Sequence, residues 1–186
     1  MGSIGNVTAP SMTISDFKIE EKKWDARERD NLEYALGFMS REFGDIKDLI
    51  GNIYRRSSSK INASALYDRD GYEGKGRATY FATDGYASED NMLHEFTHAV
   101  THEIAAHYKQ LGFKSEGEVY SAMRSQVYSN LGKEEPKYDG RKWADRPNEF
   151  LSRGIEAYTR ADGNRATPEA KETLKVVKQW FKRIGR

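Results

Sequence analysis

Leu93-His94-Glu95-Phe96-Thr97-His98-Ala99-Val100-Thr101-His102-Glu103 is the stretch from which both fold and chemistry are read. It contains the pattern His-Glu-x-x-His. On an α-helix, residues i and i+4 lie one above the other, with Cβ atoms roughly 5–6 Å apart. His94 and His98 can therefore offer two imidazoles to one metal ion. Glu95 is turned about 100° from His94 and flanks the metal instead of standing in the ligand row. From there it can act on a metal-bound water. All four histidines of the chain fall in this segment and its continuation to His107, so no histidine elsewhere can complete the site.

The segment reads as helix, not loop. Leu93, Phe96, Ala99 and Val100 give it apolar flanks, and Thr97 is small enough to let neighbours approach. Two histidines and a glutamate at this spacing need polar partners that a purely apolar core lacks. Ser88 is a fitting N-cap, with Glu89 and Asp90 in the first turn, and Gly112 a stop after Leu111.

Outward toward the N-terminus, residues 61–67 and 77–81 read as two strands of a hairpin, joined by the turn-rich segment 68–76. Ser57 to Ser59 reads as loop. Leu32, Leu36, Met39 and Phe43 give a helical period from Asp25 to Gly44, and Ile46, Leu49, Ile50 and Ile53 suggest a second short helix. Residues 1–15 are small and polar without a period and read as a flexible tail, leaving residues 16–186 as one domain. Outward in the other direction, helices are expected over 117–131, 149–160 and 168–184. The charged loop 133–147 precedes the second of these, and Thr167-Pro168 caps the last. The layout is α+β: mostly helical, with a small sheet beside the His-Glu-x-x-His helix.

A catalytic zinc takes three protein ligands and keeps one open position. Helix rise puts His102 about 6 Å and His107 about 13 Å beyond His98, too far for one ion on a straight helix. The third ligand must come from another element. Cysteine is absent, so a carboxylate is expected. Glu149 and Glu156 are the candidates, seven residues apart on one helix face and separated by about 10 Å of rise. Only one of them can reach the metal; the other can orient a histidine from behind. Arg153, at i+4 from Glu149 and i−3 from Glu156, is placed to bridge both carboxylates.

Leu-His-Glu-Phe-x-His-Ala-Val, followed some fifty residues later by Asn148-Glu149-Phe150-Leu151 in a helix, resembles the gluzincin zinc metallopeptidases. The likeness is to the catalytic domain of anthrax lethal factor and related small bacterial and phage peptidases, and it covers residues 88–158. It implies a zincin-like fold, one Zn2+ held by His94, His98 and Glu149, and Glu95 as general base. Glu156 and Arg153 are left behind the ligands. The resemblance further implies that the strand before the metal helix, residues 77–81, is a sheet edge that pairs with extended substrate. The sequence departs from the family at two places. A tyrosine that steadies the oxyanion is expected seven residues before Glu149, where Lys142 stands, followed by Trp143. Lys142, Tyr138 and Tyr158 are the candidates for that role. The acidic residue one turn after the ligand glutamate is replaced by Arg153.

The totals set the remaining bounds. The 186 residues are enough to bury roughly 70% of the unfolded surface. Thirty Lys and Arg against 29 Asp and Glu argue against nucleic acid or an anionic membrane as the main partner. No stretch is long and apolar enough for a signal peptide or a membrane span. The expectation is a monomeric zinc metalloendopeptidase acting on protein or peptide substrates. It would be cytoplasmic or delivered by a route without a signal peptide, as a toxin or effector domain or a phage protein. The alternative is a non-catalytic or regulatory zincin-like module, a sensor or a particle component. The last helix alternates Leu174, Val177, Trp180, Phe181 and Ile184 with Lys171, Lys175, Lys178 and Lys182, and its apolar side is expected to dock on the core.

Overall fold

Asp25 starts the first long helix. Its carboxylate accepts the Glu28 N–H at 2.7 Å, and the Glu28 carboxylate accepts the Asp25 N–H at 3.3 Å, a reciprocal cap. The computed structural model describes residues 11–70, 76–85 and 87–186. In it, helix α1 (Ala26–Phe43) ends at Gly44, as its period predicts. Next come α2 (Lys47–Ile50), β1 (Asn52–Arg56), α3 (Ser58–Ile61), β2 (Ala65–Asp68) and β3 (Ala78–Ala82). Four long helices complete the chain: α4 (Glu89–Ala106), α5 (Glu116–Asn130), α6 (Pro147–Arg160) and α7 (Pro168–Arg183). The architecture is α+β, mostly helical with a three-stranded sheet.

The sheet corrects the sequence reading in three places. Ile53 belongs to a strand, not to the second helix. Gly51 sits at φ +70°, a left-handed turn that ends α2 after four residues, and a Cβ there would lie 2.0 Å from the Arg77 carbonyl oxygen. Only glycine lets the chain pass this close and enter β1. Residues 58–61 form a helical turn instead of loop and strand. The strand order is β1-β3-β2, with β1 parallel and β2 antiparallel to β3. The expected hairpin is therefore present, but residues 78–82 form the central strand, with β2 at one edge and β1 at the other. Part of the expected 68–76 turn lies outside the described residues.

Helix α4 runs through the middle of the domain. Every residue from 92 to 101 is buried, and α1, α5, α6, α7 and β2 all pack on it. Ser88 caps it as expected, its Oγ accepting the Asn91 N–H at 3.2 Å. The helix stops at Ala106, five residues before the predicted end. There His107 Nδ1 approaches the Glu103 carbonyl at 2.8 Å, and the next backbone bonds tighten to i−3. Helix α7 places Leu174, Val177, Trp180 and Phe181 in the core, so its apolar side docks inward. The first ten residues of the expected tail lie outside the described residues. Its remainder is packed: Met12 is buried, and its N–H donates to Ser40 Oγ at 2.9 Å. Among the described residues no helix is long and apolar enough to cross a membrane.

One buried ion pair fixes the entry to α4. Glu28 Oε2 accepts from Arg55 Nη1 at 2.5 Å and from the Ala87 N–H at 2.7 Å. Arg55 also donates to the Gly85 carbonyl at 3.2 Å and lies over the Trp24 ring. Helix α1, strand β1 and the loop leading into α4 thus meet at one carboxylate. Glu28→Ala leaves a buried guanidinium without its anion, and urea unfolding should show a loss of about 3–5 kcal/mol. A loss below about 1 kcal/mol would mean the pair is solvated and not structural.

Candidate metal centre

His94 and His98 stand one turn apart on α4, and α6 crosses beside them carrying Glu149, Ser152 and Glu156 on its inner face at i, i+3 and i+7. Three groups converge between the helices. His94 Nε2 lies 2.9 Å from Glu149 Oε2, His98 Nε2 lies 3.1 Å from Glu149 Oε1, and the two Nε2 atoms are 3.2 Å apart. His94, His98 and Glu149 are the one group of this kind among the described residues.

Hydrogen bonds from behind decide which atoms face the centre. His94 Nδ1 lies 3.2 Å from the Glu156 carboxylate, which accepts only, so the ring proton belongs on Nδ1 and leaves Nε2 as a lone pair. His98 Nδ1 lies 3.2 Å from Ser152 Oγ, whose hydroxyl can accept a proton donated by that ring. With these tautomers, two imidazole lone pairs and a carboxylate point at one spot, an arrangement that only a cation can satisfy. Tetrahedral zinc ligands at roughly 2.0–2.1 Å stand about 3.3–3.4 Å from one another, so the observed separations need widen only by tenths of an ångström. The donor set fits a divalent metal ion in number, type and spacing.

Without an ion, a proton takes its place. Burial alone would lower the His94 imidazole, but hydrogen bonds to Glu149 and Glu156 outweigh it and raise the group to about 9. Burial would likewise raise Glu149, yet His94 and His98 pull it down to about 2. Glu95 goes the other way: burial pushes its carboxyl above the ordinary carboxylate range, against the opposing pull of His98 and His94. Its Oε2 accepts the backbone N–H of Tyr67, on edge strand β2, at 2.7 Å.

The other sequence candidates separate. Glu156 serves as the partner behind His94 and also accepts from Arg160 at 2.6 Å. Arg153 pairs with neither carboxylate, contrary to expectation. It is exposed and lines a cleft of about 440 Å³ together with Ala63, Ala65, His94, Glu95 and Trp143. His102 lies outside the metal group, edge-on to His98, Tyr67 and Tyr120. Burial lowers it to about 4, so it is neutral. Tyr138 lines a different cavity with Tyr120 and Asn148, Lys142 is exposed at the start of a 3₁₀ turn, and Tyr158 rests against Phe38. None of these three lines the cleft.

Three contributors had not been singled out for the site. Ser152 shares the Glu149 face, a spacing readable in the sequence. Trp143 stacks on the His94 ring at 6.2 Å while remaining 56% exposed. The Tyr67 donor is an amide, which any residue supplies, so no sequence signal marks it. No family model, curated protein or solved structure matches the chain.

Binding of a divalent ion must expel the proton that His94 holds up to about pH 9. Apparent zinc affinity should therefore rise about tenfold per pH unit between pH 6.5 and 8.5, measured by competition with a chelating dye. Glu149→Gln should lose zinc outright, and Ser152→Ala should weaken it about tenfold. A flat pH profile, or full zinc content in the Glu149 variant, would contradict this ligand set.

Proposed function

We propose that the protein is a zinc-dependent metalloendopeptidase of the gluzincin kind, with a zincin-like domain similar to those of lethal-factor-like peptidases. The observation that carries this reading is the placement of Glu95. It is a buried carboxyl of raised basicity, one residue from a metal ligand, at the floor of an open cleft. A site built only to hold an ion has no use for such a group.

Bound zinc supplies Lewis acidity, lowering the pKa of water and polarising a carbonyl. Glu95 removes a proton from the attacking water and returns it to the leaving amine, its carboxylate facing the cleft one residue from His94. The Tyr67 N–H holds one carboxylate oxygen and leaves the other free to exchange protons. Glu156 and Ser152 keep the two imidazoles turned toward the metal.

The cleft also has a wall suited to extended peptide. Just before β2, the Ser64 carbonyl accepts the Ala82 N–H of β3 at 2.9 Å, so by strand alternation Ala65 turns its N–H and C=O outward. Ala63 and Ala65 line the cleft beside Glu95. A substrate strand can add there by main-chain pairing. Edge strand β2 thus takes the role expected of residues 77–81. The cation lining the cleft is Arg153, in place of Lys142 or Tyr138, and it is the group available to a developing oxyanion.

Glu95→Gln should retain zinc and lose at least about a hundredfold in cleavage rate, assayed on a quenched fluorescent peptide library. Undiminished turnover in that variant removes the mechanism. Arg153→Met should lower kcat by about a hundredfold, while Lys142→Met leaves it nearly unchanged. The reverse ranking would return the oxyanion role to the 133–147 loop.

A further inference from the structure

Two features of the sequence have no part in the metal centre: the lysine row of α7 and Tyr158. The fold brings them together. Lys171, Lys175, Lys178 and Lys182 follow one another at i, i+4, i+7 and i+11, so they occupy one face of α7. That face, with Tyr158, bounds a concavity of about 480 Å³, within the size range of small-molecule sites. Among the described residues the only acid lining it is Glu42, which leaves a net of three positive charges.

The concavity is shaped by more than surface lysines. Its lip is the turn between α6 and α7, where Asp162 and Gly163 both adopt left-handed φ, +53° and +61°. A Cβ on Gly163 would lie 2.8 Å from the Tyr158 hydroxyl, so glycine allows the ring to lie against this turn. Lys171 Nζ donates to the Asn164 carbonyl at 3.2 Å and ties the lip to α7. Lys178 reaches Glu42 at 2.5 Å. Lys175 has only a loose contact with Glu172 at 3.9 Å, and Lys182 forms no ion pair among the described residues. Each ammonium carries three N–H donors, so the row keeps donors to spare. Four like charges within one cavity repel until an anion enters, and the low-dielectric wall concentrates their field.

The geometry points to a binding site for a compact anion bearing two or more phosphate groups, held between the lysine face of α7 and Tyr158. A single carboxylate would leave most of the charge unmatched; two or more phosphates carry enough charge to offset it, and the flexible lysine side chains can converge on them from about 16 Å of helix. The site is independent of the metal centre and of the peptidase reading.

The test is isothermal titration of the full chain with sodium tripolyphosphate, alongside flotation with two kinds of vesicle. One kind contains a bisphosphorylated phosphoinositide in phosphatidylcholine, the other phosphatidylserine. Lys175 and Lys182 are exposed, so Lys175→Glu/Lys182→Glu should fold, with Lys175→Gln/Lys182→Gln as the milder version. Lys133→Glu/Lys137→Glu, on the loop after α5 and outside the lining of the concavity, carries the same charge change. The expected result is saturable one-to-one binding of tripolyphosphate, with a Kd on the order of 1–100 μM. It should weaken at least about tenfold in the α7 variants, persist in the loop variant and decline with added salt. Flotation with phosphoinositide vesicles, lost in the same variants, would assign the phosphates to a lipid headgroup; tripolyphosphate binding without flotation would assign them to a soluble molecule. Absence of saturation, equal affinity in native and α7 variants, or equal flotation with phosphatidylserine would overturn the proposal.

Discussion

The organising constraint of this protein is the burial of several ionisable groups in the helix at the centre of its core. His94, Glu95 and His98 lie within a run in which every side chain is buried, and such groups are stable there only if each is matched. The matching is shared out by direction. Helix α6 supplies Glu149 toward the shared centre and Glu156 and Ser152 behind the rings. Edge strand β2 supplies an amide to Glu95. The packing of α6 and of β2 against α4 is therefore set by polar geometry as well as by apolar contact.

Charge is handled in the same way elsewhere. The Arg55–Glu28 pair is as buried as the metal group, and it too joins segments far apart in sequence: α1, β1 and the loop before α4. Both polar knots act on α4. One fixes where the helix begins, the other what faces it. Between them the apolar core is continuous, with Phe81, Phe96 and Trp24 meeting edge-on.

Much of this was legible in the sequence because it rests on local rules. The α1 period, the Ser88 and Thr167 caps and the Gly44 stop are properties of single helices. Helix rise and the absence of cysteine point to a carboxylate, Glu149 or Glu156, and the family resemblance to Glu149; the chain brings Glu149 to the two histidines. What was illegible depends on tertiary approach. Strand β1 was merged into a helix because Gly51 looks like any other glycine until Arg77 is seen against it. The edge position of β2 follows from a parallel pairing between β1 and β3 that no local pattern encodes. Arg153 was expected to neutralise its helix neighbours, but the deeper ring of His94 claims Glu156 from one side and Arg160 from the other. Lys142 stands at the family's seven-residue offset and Tyr138 on the same loop, yet it is Trp143 that this loop turns into the cleft, against the His94 ring.

The bond from Tyr67 to Glu95 has a consequence for how this site can vary. A side-chain donor disappears with one substitution; a main-chain donor survives every replacement except proline. The bond to the carboxylate therefore depends on β2 keeping its register on β3 and not on the tyrosine ring, whose hydroxyl has a separate task, donating to the Leu49 carbonyl at 3.0 Å. The dependence is moved from identity to alignment. Tolerance at the visible site is matched by intolerance at the joints that set the sheet, above all where Gly51 slips past Arg77. Residues that never approach the metal group thereby become the ones least free to change.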